Sequence, residues 1–283
     1  MSYVFRFVTR TAACLVAVFV CLGAGLEVTI PIDRFADRAR FEQARSNKVT
    51  IDATKCKTVR GALVNHHALA SDLLWKLFQR LATCRAGIER IIILSPDHYF
   101  QGQSTVTTAS VTFQRKTTRL VTDDSLVKQL LEKRVAISDP KLFRREHGVG
   151  ALIPFIMDAF PKVQIVPIAI RADISQSEAE RLAAVLKDQL DQKTLLVVSS
   201  DMSHYLSQAV ARKKDRETAI AFAKQNTSFF WRAKDDHLDF GKGVWTALQA
   251  LSPSSFELLD QGNSVEYGGS AAYTTSYFTG FWR

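Results

Sequence analysis

The stretch Ile91–Phe100, IIILSPDHYF, constrains this chain more than any other. Three isoleucines and a leucine in a row make a short buried strand. Proline follows at Ser95-Pro96, removes a backbone donor and is expected to end the pairing there. Asp97, His98 and Tyr99 then stand at the mouth of the strand. In open α/β sheets, ligands bind in the crevice beyond the carboxyl ends of the strands. The same layout recurs twice. LVNHHA (63–68) ends in His66 and His67, and LLVVSSDMSHY (195–205) ends in Asp201, His204 and Tyr205. Five of the six histidines lie in these transitions or in the REHG segment at Glu146-His147; the sixth is His237.

The rest of the chain supplies the helices such strands need. Residues 58–65 read as the first core strand. Residues 67–81 carry Leu69, Leu73, Leu74, Leu77, Phe78 and Leu81 at helical spacing. Strand, helix, strand in this order is a right-handed βαβ unit on a parallel sheet. Further helices are expected over 123–134, 146–160 interrupted or kinked at Pro154, 175–190, 208–225 and 241–251. Strands are expected over 163–170 and 194–199. The Thr- and Val-rich stretch 101–121 reads as strands or an excursion. Residues 257–278 read as β-structure broken at Gly262-Asn263 and Gly268-Gly269. Residues 26–35 form an extended lead-in to a charged segment over 36–48. With 47% hydrophobic residues in 283, no repeat and no linker after residue 50, the expected fold is α/β: a single domain with a mainly parallel central sheet flanked by helices.

Arg6 and Arg10 precede an uncharged apolar run, Thr11–Leu26, with Gly23 and Gly25 at a candidate cleavage point. This reads as a signal peptide or uncleaved signal anchor over 1–26, with the α/β domain over 27–283. An ordinary buried helix is the alternative. Export would place the domain in a periplasmic or other extracytoplasmic, oxidising compartment, touching the membrane only through the N-terminal segment. Outside that segment stand only Cys56 and Cys84. Cys56 precedes the first core strand and Cys84 follows the helix that returns from it, so both lie at the sheet edge opposite the histidines. A disulfide is expected; two free buried cysteines are the alternative. The net charge of +9 comes from short scattered clusters such as Arg144-Arg145 and Arg212-Lys213-Lys214. That suits a solvated basic surface, and no nucleic-acid partner is expected.

Adjacent residues in extended chain point to opposite faces, so only one of His66 and His67 is expected in a common site. His98 is placed as a metal ligand or acid–base group, with Asp97 to orient it or to cap a turn. Asp201 and His204, three apart, would share one face of a helical first turn. They suit joint metal ligation, carboxylate tuning of a base, or a plain N-cap. Glu146 and His147 open a helix, where an acid is ordinary. Ser199, Ser200 and Ser203 lack a G-x-S-x-G elbow. No P-loop or G-x-G-x-x-G is present. Asp239, near a helix start, is consistent with capping.

The segments VNHHALAS, LSPDHYFQG, EHGVGALIPFI, IVPIAI, VVSSDMSHY and GSAAYTTSYF, in this order, resemble the Memo family, most closely its bacterial "AmmeMemoRadiSam system protein B" branch. The resemblance implies a fold like that of class III extradiol dioxygenases, which hold Fe(II) with two histidines and one carboxylate. It places His66 and His98 on the histidine-ligand positions and His204 on the catalytic-base position, which joins the metal cluster in Memo proteins, with Asp201 beside it. The third-ligand position falls near Phe240, a residue that cannot bind metal, with Asp239 next door and expected to point elsewhere. Gly148 and Gly150 also depart from the family's EHS-x-E.

The expected function is therefore a metal-dependent redox protein with Fe(II) or Cu, or Zn, held by His66, His98 and His204. His204 and Asp201 carry the catalysis; His67, Asp97, Tyr99, Glu146, His147, Tyr205 and Asp239 line the pocket. His237 is expected to lie apart. The alternatives are a non-catalytic metal-handling protein and a module using the cleft for a small-molecule or peptide ligand, with a radical-SAM system as partner.

Overall fold

In this computed structural model, the described residues are 28–35, 37–51, 56 and 59–283; the apolar N-terminal segment lies outside them. The chain runs β1 (Val28–Pro31), α1 (Arg38–Ser46), β2 (Gly61–Val64), α2 (Ser71–Cys84), β3 (Arg90–Pro96), β4 (Val106–Thr108), β5 (Val111–Arg115) and β6 (Thr118–Val121). It continues through α3 (Asp124–Glu132), β7 (Ile137–Ser138), α4 (His147–Gly150), α5 (Ile153–Ala159), β8 (Gln164–Ile170), α6 (Gln176–Lys187), β9 (Thr194–Ser199) and β10 (His204–Leu206). It ends with α7 (Gln208–Ala223), α8 (Thr227–Arg232), α9 (Gly241–Leu251), β11 (Phe256–Asn263) and β12 (Thr274–Trp282).

The large sheet has the order β10-β12-β2-β9-β3-β8-β4-β7, with β11 pairing β12. Its centre, β2-β9-β3-β8, is parallel, and antiparallel β12 and β4 flank it. The IIIL run shows why the centre needs helices on both faces. Ile91 and Ile93 enter one apolar cluster, with Leu74, Leu77 and Phe78 of α2 and Phe155 of α5. Ile92 and Leu94 enter the other, with Leu182 and Leu186 of α6 and Val244 and Leu248 of α9. Alternate side chains of a strand point to opposite faces, so a strand apolar at every position is covered twice. A separate small sheet, β1-β5-β6, packs the lead-in against the excursion after β3.

Local expectations are met in part and corrected in part. Pro96 does end β3, as expected: it is the last residue of the strand and its last register partner is Ile170 of β8. Pairing with β9 has already stopped at Leu94, so the missing N–H falls where one neighbour has left. The charged segment holds a helix, α1, capped by the Asp37 carboxylate, which accepts from the Arg40 N–H. The segment 146–160 is interrupted, as one of the two expectations had it, into two short helices, with Pro154 in the first turn of the second, where its missing donor costs nothing. Asp201 and His204 do not share a helical turn. His204 opens β10, which pairs with β12.

Cys56 and Cys84 are joined in a disulfide, their Cα atoms 4.6 Å apart. No helix of the described residues is long and apolar enough to cross a membrane.

Candidate metal centre

Three neighbouring parallel strands deliver the site. The second residue past the end of β2 is His66, past β9 Asp201, and past β3 His98. Hydrogen bonds fix the relative heights of these exits. The Ser200 N–H donates to Val64 O at 2.8 Å, and the Asp97 N–H to Ile170 O at 2.9 Å. The His66 N–H donates to Asp201 Oδ1 at 2.9 Å.

The ring tautomers follow from the partners. A carboxylate only accepts, so His98 Nδ1–H donates to Glu146 Oε1 at 2.6 Å. The single hydroxyl proton of Ser199 goes to Gly148 O at 2.6 Å. Its oxygen therefore accepts from His66 Nδ1–H at 3.1 Å. Both Nε2 atoms are left as lone pairs, and they face each other at 3.2 Å. Two bare lone pairs at that distance repel unless a proton or a metal ion sits between them.

Asp239 completes the arrangement. Its Oδ2 is 3.1 Å from His66 Nε2 and 3.7 Å from His98 Nε2. That oxygen is buried and makes no hydrogen bond. Donors at about 2.1 Å from one ion stand about 3.0–3.4 Å apart in octahedral or tetrahedral sites; two sides of this triangle fall in that range and the third, 3.7 Å, is slightly longer, close to the spacing of three ligands of one metal. The segment before α9 is strapped to the β9 exit by a Met202–Leu238 bridge and an Asp239 N–H bond to Asp201 O at 3.2 Å. The turn before α9 brings the Asp239 carboxylate to the histidines, while Phe240, at φ −128° and ψ 45° as the N-cap of α9, packs into the core. The Phe240 ring lies over Gly243, where an added Cβ would sit 1.9 Å from it. The expectation that Asp239 points elsewhere is thereby overturned.

A third imidazole, that of His147, lies close to those of His66 and His98. One ring nitrogen from each of His66, His98 and His147 lies within 4.8 Å of the others, a group that could hold a metal ion. Glu146 caps α4 by accepting from the Gly148 N–H at 2.8 Å, which sets His147 in the first turn against His98. Gly148 permits this approach: a Cβ there would be 2.2 Å from Ser95 Oγ and 3.2 Å from His98 Cε1. His204 stands across the site, its Nε2 4.0 Å from Asp201 Oδ2, because β10 turns it to that side.

The electrostatics favour a cation. Glu146, Asp201 and Asp239 are sheltered carboxylates whose ion-pair partners, among the described residues, are histidines alone. Buried charges are paired or bind metals. Burial by itself lowers the His98 pKa, but the Asp239 and Glu146 carboxylates reverse this and push it up to about 10. Burial also opposes charge on His66, and Asp201 and Asp239 outweigh it, so its pKa is raised. Burial opposes ionisation of Asp239, and His66 beside it wins, leaving its pKa below the usual carboxylate range. His147 is lowered to about 4 by burial and by its cationic neighbours His98 and His66, which keeps it neutral.

The remaining residues divide. His67 turns away, its Nδ1 2.7 Å from the Tyr277 hydroxyl. Asp97 does not orient His98; it accepts from the Gln101 and Gly102 N–H groups and closes a turn. The Tyr99 hydroxyl is 3.4 Å from His147 Nδ1. Tyr205 and His204 line the cavity beside His98 and Asp239. His237 pairs with Asp236 and Glu217, outside the histidine group.

A MEMO1 family protein of Caldivirga maquilingensis is 28% identical over 200 residues, covering 66% of this chain and 69% of its own length. Another, from Thermotoga neapolitana, is 25% identical over 194 residues, covering 67% and 70%. Among solved structures, an uncharacterized protein of Escherichia coli K12 shares the fold at a TM-score of 0.51 and 14% identity, covering 78% of this chain and 99% of its own. The family model described as Memo-like protein matches residues 37–280, nearly all of the sheet and every residue of the candidate centre, so the chain belongs to the Memo-like protein family.

Proposed function

We propose that this protein is a metal-dependent redox protein whose ion is held by His66 Nε2, His98 Nε2 and Asp239 Oδ2, with His147 beside them. The observation that carries the reading is the triangle of 3.2, 3.1 and 3.7 Å between those three atoms. Two imidazoles and one carboxylate on one face leave positions open for substrate and O₂, the pattern of non-haem Fe(II) sites. Copper and zinc also suit imidazole and carboxylate donors. A bound Fe(II) or Cu would supply Lewis-acid and one-electron chemistry. The protein's own groups do the rest. Glu146 and Ser199 fix which nitrogens face the ion. Asp201 ties the β2 exit to the β9 exit. His204 lines the open side of the cavity, with Nδ1 buried and unpartnered and Nε2 toward Asp201, a position for taking or giving a proton.

A third ligand at Asp239 removes the main argument for a site without turnover. The test is metal content of protein purified without a histidine tag, followed by oxygen uptake with catechols. Near-stoichiometric Fe or Cu with catechol-dependent uptake, lost in His98→Ala, is expected. Stoichiometric metal with no uptake would return the protein to metal handling, and no bound metal would refute the centre.

A further inference from the structure

A cavity of about 740 Å³ opens beside His98 and Asp239, and its rim carries two features the metal ligands do not account for. The first is a pair of aromatic residues in left-handed backbone conformation: Phe100 at φ 50° and Tyr205 at φ 58°. Bulky residues avoid that region, and the strain gathers at functional sites. Both rings are exposed, at 54% and 74%, which leaves large apolar faces in water at the mouth of one cavity. Phe100 is held there by the Arg171 guanidinium, centred 5.4 Å from its ring and paired with Asp173. The second feature is Lys242. Its ammonium donates to Ile174 O at 2.9 Å and lies 4.8 Å from the Trp231 ring centre. It has no carboxylate within ion-pair distance among the described residues; burial lowers its pKa against the more distant attraction of Asp173, whose carboxylate is bound by Arg171. The acids of the same wall are engaged elsewhere: Asp97 by backbone N–H groups, Asp236 by Lys214, and Asp239 by the histidines. Lys234 and Asp235, both exposed, offset one another in charge.

We propose that this cavity takes a planar aromatic carboxylate, its ring gripped by Phe100 and Tyr205 and its carboxylate anchored on Lys242. The proposal rests on reading this cavity as the functional one and names its ligand class. A planar ring covers the two exposed aromatic faces, and a carboxylate gives Lys242 the anion it lacks.

The experiment titrates benzoate, benzamide, catechol and cyclohexanecarboxylate into metal-free and zinc-loaded protein, followed by calorimetry and by amide shifts in NMR spectra. In the metal-free protein, benzoate is expected to bind at least about tenfold more tightly than each of the others. Lys242→Gln should abolish the preference for benzoate over benzamide, and Lys242→Arg should keep it. Phe100→Asn and Tyr205→Asn tolerate the left-handed backbone, so they should fold and lose the preference over cyclohexanecarboxylate. Equal binding of benzoate and benzamide, or no binding of benzoate, overturns the proposal. So does benzoate binding that needs zinc and survives Lys242→Gln, since the carboxylate would then sit on the metal. Zinc stoichiometry on the same samples reports on the metal centre separately, so failure of the centre and failure of the pocket read differently.

Discussion

His98 Nδ1 donates a 2.6 Å hydrogen bond to Oε1 of Glu146, whose side chain is wholly out of contact with solvent. The same carboxylate accepts the His98 N–H through its other oxygen at 3.0 Å and caps α4. One residue thus sets the ring's tautomer, its rotation and the position of His147. Glu146→Gln keeps the shape and loses the charge. It is expected to weaken metal binding about 10–100-fold while the protein stays folded. Competition against a chelator, with circular dichroism as the folding control, measures both; unchanged affinity would remove Glu146 from the site.

Asp239 and Phe240 separate two assignments of the third ligand. Asp239→Asn should lower metal affinity by at least about tenfold, because an amide oxygen is a weaker ligand than a carboxylate. Phe240→Asp should give no tighter binding and should cost about 3–5 kcal/mol of stability, since the ring fills the core over Gly243. Denaturant unfolding and metal titration of both variants decide it. Tighter binding in Phe240→Asp would restore the assignment at 240.

Acidity supplies a further check. In the metal-free protein, the His98 pKa of about 10 favours the imidazolium. Its contribution to stability is full below the unfolded value near 6.5 and fades as pH rises toward 10. Metal binding runs the opposite way, because the ion needs a deprotonated Nε2. Affinity should rise at least about tenfold per pH unit between 6.5 and 9, with about one proton released from His98 per ion bound and a further share from His66, whose pKa is also raised. Calorimetry in buffers of different ionisation heat counts those protons. Binding independent of pH in this window would contradict the assignment.

The Cys56–Cys84 bridge spans a sequence separation of 28 residues. Loop closure of that length in the unfolded chain corresponds to about 3–4 kcal/mol. Reduction should lower the denaturation midpoint accordingly. A thiol assay on denatured, unreduced protein should find Cys56 and Cys84 unreactive, and two reactive thiols from them would show that no bridge forms.

How much of this was legible in the sequence differs from residue to residue, for physical reasons. The all-apolar runs of β3 and β9 announce strands buried on both faces, and polar residues right after them announce a site at the carboxyl edge. That reasoning depends only on period and on termination, both of which are local. His147 and Asp239 read from it as pocket residues and not as ligands, because neither follows a parallel strand. His147 reaches the cluster through a helix of four residues started by Glu146, and Asp239 through the bridge of its neighbour Leu238 to Met202, 36 positions before Leu238. The pair Glu146-His147 was a usable signal, but an acid opening a helix is ordinary on its own. For His204 the spacing to Asp201 suited a helical turn equally well. The edge of β12, which claims it as a strand, is some 70 residues away.

The alternation of Asp239 and Phe240 has a consequence for how this protein can change. Two neighbouring positions answer to different demands: one faces polar donors, the next an oily interior. Inserting or deleting a single residue between the Met202–Leu238 bridge and α9 would exchange them, driving a carboxylate into the core and a phenyl ring against the imidazoles. Drift in loop length is therefore barred here, although the segment is irregular and lies at the surface of the cavity. Helix α9, wedged against the sheet by the Phe240 ring, serves as the gauge that keeps the count.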